Sequence, residues 1–165
     1  DHYRIYNTNN PDIPLLEQIL NFWQFNEDER KDSQPEIYFS EEEKELGDYI
    51  IKKYTDNCEF GTLLTTKKIQ PNDPDKILKI LNQNPIPYFY FTHKPINQTP
   101  FKDINKVLDL RHIDIRIQLY IKSKAKLNVG NQCGVNHMVI RHTDVYEAQR
   151  QFPLGGNFVK GEIYL

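Results

Sequence analysis

The chain has 165 residues, enough for one domain with a single core, and a composition of 38% hydrophobic, 27% charged and 12% aromatic residues. With 10 Tyr and 9 Phe it is too aromatic for a disordered chain. Its 21 basic and 23 acidic residues leave a net charge of −2, which gives no broad electrostatic footprint for nucleic acid or an anionic membrane.

Reading from the start, Pro14 suits a first helical position after Asp12, and Leu15, Leu16, Ile19, Leu20 and Trp23 follow at helical spacing. Glu27 to Asp32 is a charged, solvated connection. Pro35 to Phe39 is extended and leads into a well-marked helix. There Ser40 with Glu43 three residues on forms a capping box, and Glu41 and Glu42 sit at the positive end of the dipole. Leu46, Tyr49, Ile50 and Tyr54 are its expected buried stripe, with Lys52 and Lys53 in the last turn.

Glu59 to Thr65 predicts a short buried strand, and Asp73-Pro74 opens a helix whose apolar face is Ile77, Leu78, Ile80 and Leu81. Pro85 and Pro87 end that helix, Tyr88 to Phe91 forms the next strand, and Lys106 to Leu110 a third. From Ile113 to Lys122 two readings stand. Ile113, Ile115, Ile117, Leu119 and Ile121 alternate as in a strand, whereas Ile113, Ile117, Tyr120, Ile121 and Lys124 share one helical face that Asp114 can cap. Lys126 to Gly130 is a strand, Asn131-Gln132-Cys133-Gly134 a turn, and Val135 to Arg141 the helix it opens. The order points to an α/β sandwich with a mainly parallel sheet.

The turn after Gly130 is the one place where spacing suggests chemistry. Unpaired N–H groups at a helix start attract an anion, glycines at 130 and 134 permit close backbone approach, and ligands of open parallel sheets lie outside the strand C-termini. An ordinary strand-to-helix turn built of small residues has the same spacing. Neither a GxGxxG run nor a Walker loop is present. Asn136 and His137 fall in the first turn of the expected helix, and His93 follows a strand end. Arg116 and Arg141 are candidate partners of a diphosphate, and Asp144 an isolated candidate base. Cys133 beside a helix start invites a thiolate reading with His137 four residues on. The two cysteines, at 58 and 133, and five scattered histidines offer no metal-ligand spacing. No apolar run approaches the roughly 20 residues of a spanning helix, and the first residues lack a signal peptide's pattern; a cytoplasmic location follows as the expectation.

Taken together, Asp114 to Tyr120, Ser123 to Gly130 and the following Gly134 and His137 resemble the helix–strand–turn unit of heptosyltransferase-like glycosyltransferases. In that family the strand runs into an aspartate, a hydroxyl residue, a glycine, two variable positions and a histidine, whose backbone holds a nucleotide sugar's diphosphate. Gly134 and His137 match; Gln132 and Cys133 stand where the family has the carboxylate and the hydroxyl. Pro35 to Glu43 is similar to the lead-in after the link between the two halves of these enzymes. The resemblance implies the helical reading of residues 113–122. It implies a Rossmann-like three-layer sandwich over residues 35–165, with 1–34 as the inter-half connection. It also implies a nucleotide sugar as donor substrate with no separate cofactor or metal, and binding residues Gly130, Asn131, Gln132, Cys133, Gly134, Asn136, His137, Arg116 and His93. The general base would belong to a separate N-terminal half of this GT-B architecture, which leaves no catalytic residue to assign here. A start without Met and a size of one half fit that picture. Ile140 to Asp144 is faintly similar to an arginine-bearing strand of fucosyltransferases, which would make Val139–Arg141 a strand. The alternative from another class is a non-catalytic α/β binding or interaction module, supported by the altered Gln132-Cys133 pair.

Overall fold

A computed structural model describes residues 21, 23, 24, 26, 35–131, 133–148 and 163–164. The charged connection and Gln132 lie outside the described residues, as do the expected first helix apart from Asn21 and Trp23 and the proposed 1–34 unit apart from residues 21, 23, 24 and 26. Within them the elements run α1 (Glu41–Thr55), β1 (Gly61–Leu64), α2 (Asp73–Gln83), β2 (Tyr88–Tyr90), a short 3₁₀ turn, β3 (Lys106–Asp109), α3 (Ile115–Lys124), β4 (Leu127–Asn131), α4 (Gly134–His137), β5 (Asp144–Ala148) and β6 (Ile163–Tyr164). The six strands form one sheet in the order β3-β2-β1-β4-β5-β6. Every pair is parallel. This is the doubly wound, Rossmann-like order, in which the chain reverses direction between β1 and β4.

Strand alternation sorts the core onto the two faces of the sheet. Leu64, Phe89 and Phe91 look towards α1 and α3, where they meet Ile50, Ile117 and Ile121. Leu63, Tyr88 and Val129 look the other way, towards Ile77 and Leu81 of α2. A smaller cluster of Leu119, Val139, Ile140 and Val145 extends the first layer under the segment that carries Ile37 and Phe39.

The capping box of α1 is complete: Glu43 N–H donates to Ser40 Oγ at 3.2 Å and Ser40 N–H to Glu43 Oε2 at 2.7 Å. Its expected stripe needs correction. Leu46 and Tyr49 are 47% and 59% exposed, and Tyr54 is also exposed. The helix instead turns Gly47 towards α3, where a Cβ would stand 2.2 Å from the ring of Tyr120. Polar ties complete that seam, with Glu43 bound to Arg116 and Asp48 accepting from the Tyr120 hydroxyl at 2.9 Å. Close backbone approach and an ion pair, rather than apolar count, choose the inner face.

Residues 115–124 are helical, with Asp114 as N-cap accepting from Arg116 N–H at 2.7 Å. The helix expected over Val135–Arg141 is a single turn, Gly134–His137. Beyond it the bonds tighten to Val139 N–H on Asn136 O and His142 N–H on Val139 O. Two successive β-branched residues, Val139 and Ile140, disfavour continuation and drop into the small core cluster instead. The fucosyltransferase-like strand over Val139–Arg141 is likewise a turn.

Candidate functional site

The strand order reverses at the C-terminal ends of β1 and β4, where Leu64 and Gly130 are register partners, and ligands of open parallel sheets bind beyond such a point. One side chain joins the two loops that leave it. Asn131 Oδ1 accepts from Thr66 N–H and its Nδ2 donates to Thr66 Oγ1, both at 2.8 Å. The next strand end joins as well: His93 N–H donates to Thr65 O at 2.9 Å, and its Nδ1 lies 3.4 Å from Thr65 Oγ1. Burial, then the positive charges of Lys94 and Lys67, hold the His93 imidazole below its usual value. Lys67, Lys68 and Lys94 are exposed on these loops. Asp109, at the end of β3, is paired with Arg111 at 2.5 Å. The edge around β1 and β2 is therefore cationic.

The two glycines of the turn have different roles. A Cβ on Gly130 would stand 2.0 Å from the carbonyl oxygen of Leu64 and 3.2 Å from Asn136 Nδ2, so the chain itself fills the space. Among the described residues nothing stands within 4 Å of a Cβ placed on Gly134, which is exposed, whereas Gly130 serves the packing of β1 on β4. With only four helical residues after the turn, the helix-dipole contribution there is small.

Beneath the turn lies a polar cluster in the layer between the sheet and α3. Thr62 of β1, Asn128 of β4, Glu147 of β5, Lys122 of α3 and Asn136 of α4 are each 0% exposed. Lys122 Nζ donates to Asn136 Oδ1 at 2.9 Å and to Thr62 Oγ1 at 3.2 Å, and lies 5.3 Å from the centroid of Phe91. The Thr62 hydroxyl donates to Asn128 Oδ1, and Asn128 Nδ2 returns to the Lys122 carbonyl at 3.1 Å. Asn136 Nδ2 donates to Asn131 O at 3.4 Å. Burial pushes the Lys122 ammonium down to about 8, against the opposing pull of Cys133 and Glu147. Glu147 Oε1 accepts from Cys133 N–H at 3.4 Å, and its Oε2 lies 3.9 Å from His137 Nδ1.

Among the expected site residues, Gly130, Asn131, Cys133, Gly134 and Asn136 gather at this end of the sheet, with His93 across β1. His137 is buried beside Glu147, and Asn136 is occupied by Lys122 and Asn131. Arg116 is committed elsewhere: it pairs with Glu43 at 2.8 Å, donates to the Tyr38 carbonyl and stacks over Phe39. Arg141 pairs with Glu36 at 2.6 Å. Asp144 begins β5 opposite Leu127, at the far edge of the sheet from Asn131. The thiolate reading is corrected as well, because burial pushes the Cys133 thiol up rather than down. Cys133 packs against the apolar core around Leu64 and Phe91. Comparison with family models, curated proteins and solved structures finds no match. Among the described residues, no group of three or more His, Cys, Asp or Glu can hold a metal ion, and no helix is long and apolar enough to cross a membrane.

Sequence reasoning passed over Thr65, Thr66, Lys67, Lys94, Lys122 and Glu147. The run Thr65-Thr66-Lys67-Lys68 directly after a buried strand was a readable signal, because a strand's C-terminal end is where a parallel sheet places its loops for ligands. Lys122 carried none, since a lysine on an amphipathic helix ordinarily points to water.

Proposed function

We propose that the chain is the nucleotide-sugar-binding half of a GT-B-like glycosyltransferase that transfers a sugar to a glycan or lipid-linked acceptor. The carrying observation is the joining of two loops at the switch point, Thr66 to Asn131, with Gly134 exposed in the turn that follows and three exposed lysines on the loops after β1 and β2. Ammonium groups on the loops after β1 and β2 and an exposed glycine in the turn after β4 suit a diphosphate, which needs charge neutralisation and close backbone approach in a small volume. Lys67 and Lys94 would neutralise the diphosphate from the β1 and β2 side, with the His93 imidazole, held below its usual value, beside them as an uncharged hydrogen-bonding group, and the backbone at Gly134 would approach it from the β4 side. A general base is supplied by the separate N-terminal half in this reading, so the chain alone binds donor and transfers nothing.

Titration calorimetry with UDP-, GDP- and ADP-sugars tests the proposal. Binding of one of them, weakened by a Lys67→Ala, Lys94→Ala double variant, is expected. Absence of binding by all three at millimolar concentration sinks it. The second reading, a non-catalytic α/β module, draws on Cys133, whose side chain packs into the core where the family carries a hydroxyl. Under that reading Gly134→Leu leaves ligand binding untouched.

A further inference from the structure

A fully buried lysine is costly unless its charge has a use, and Lys122 has neither a carboxylate hydrogen bond nor solvent to compensate it. Its ammonium instead begins a series of hydrogen bonds that runs through Asn136 to the Asn131 backbone and on from the Asn131 side chain. Lys122 Nζ binds Asn136 Oδ1, Asn136 Nδ2 binds the Asn131 carbonyl, and the Asn131 amide holds Thr66 by two bonds. The first link starts in α3 and the last ends in the loop after β1, so the series ties the turn after β4 to both. The second bond of Lys122, to Thr62, fixes the same ammonium to β1.

We propose that Lys122 is a positioning residue for a bound diphosphate: through Asn136 and Asn131 it holds the β4 turn against the Thr66 loop, and it sets one positive charge beneath the anion. This rests on the diphosphate reading above and adds the regulation of that site by protons. The titratable groups facing the ammonium are Cys133, from the turn after β4, and Glu147, from β5, with His137 of α4 beside Glu147. β1 presents Thr62 and β2 presents Phe91, neither of which titrates. An anion overhead stabilises the charged lysine, so binding near the point where Lys122 titrates draws a proton from solution.

The experiment is calorimetry of UDP, GDP and ADP binding to the 165-residue chain from pH 7 to 9, in two buffers of different ionisation enthalpy. For whichever diphosphate binds, the wild type is expected to take up a proton near pH 8 to 8.5 and to lose affinity as the pH rises. Lys122→Met, of similar volume, removes both effects and weakens binding roughly tenfold at pH 7, with folding checked by circular dichroism. If Lys122→Met does not fold, proton uptake by the wild type alone decides. Binding by the wild type without proton uptake overturns the role of Lys122 and leaves the diphosphate reading standing. So does binding by Lys122→Met with wild-type affinity and pH profile. Absence of binding by the wild type overturns both.

Discussion

Replacing Gly130 with alanine is the sharpest test of how the switch point is built. The new Cβ would lie 2.0 Å from Leu64 O, a backbone atom that cannot swing aside as a side chain does, and 3.2 Å from Asn136 Nδ2. Relief to an ordinary contact requires β1 and β4 to separate by more than an ångström at their last register pair. The Thr66–Asn131 bridge sits there and loses its two 2.8 Å bonds if the strands part. Overpacking of this kind costs about 1–3 kcal/mol, and the rigid neighbour puts Gly130→Ala at the upper end, about 3 kcal/mol. For a chain of this size that lowers Tm by roughly 6–12 °C. Gly134→Ala is the matched control: among the described residues nothing stands within 4 Å of the added Cβ, and stability should stay within about 0.5 kcal/mol of wild type. Urea unfolding and thermal melts followed by circular dichroism measure both. A Gly130→Ala variant as stable as wild type, or less damaged than Gly134→Ala, refutes the packing role assigned to Gly130.

Two further outcomes follow from the buried groups. Folding lowers the affinity of Lys122 for its proton, from an ordinary 10.5 to about 8. Between those values the unfolded chain binds more protons, so stability rises with pH across the window and the full effect is about 3 kcal/mol. Urea midpoints of wild type should climb from pH 8 to 10.5 relative to Lys122→Met, and parallel curves contradict the burial of a charged lysine. The two thiols should also separate: Cys58 is exposed, whereas Cys133 is half-buried with its thiol pushed up. Alkylation at pH 7.5 followed by peptide mass analysis should label Cys58 at least about tenfold faster, and equal rates restore Cys133 as a candidate nucleophile.

How far the sequence carried depended on whether the deciding interaction was local. The capping box at Ser40 and Glu43 and the proline stops at 85 and 87 involve near neighbours, and the elements they bound came out as read. The inner face of α1 did not, because Gly47 and Glu43 meet Tyr120 and Arg116 from a helix some 70 positions away. The alternation of isoleucines from 113 to 121 fits a strand, but the helical face of Ile117, Tyr120 and Ile121 with Asp114 as cap is the reading the structure bears out, with Ile117 and Ile121 on the sheet and Ile115 left exposed. Glycine spacing made the 130–134 turn visible but not the division of labour between its glycines, which depends on where β1 passes. Lys122 was illegible for the same reason: its partners Thr62, Asn136 and Glu147 come from three other elements, and only the docking of α3 assembles them.

Under the proposed function a diphosphate binds where β1 and β4 part. The most direct measurement of this is the change in backbone amide NMR signals of the ¹⁵N-labelled chain as UDP, GDP or ADP is added. Saturable shifts concentrated on Thr66, Lys67, His93, Asn131, Cys133 and Gly134, and absent from residues at the opposite edge such as Leu127 and Asp144, are the expected result. Shifts centred elsewhere, or no shift with any of the three at millimolar concentration, contradict it.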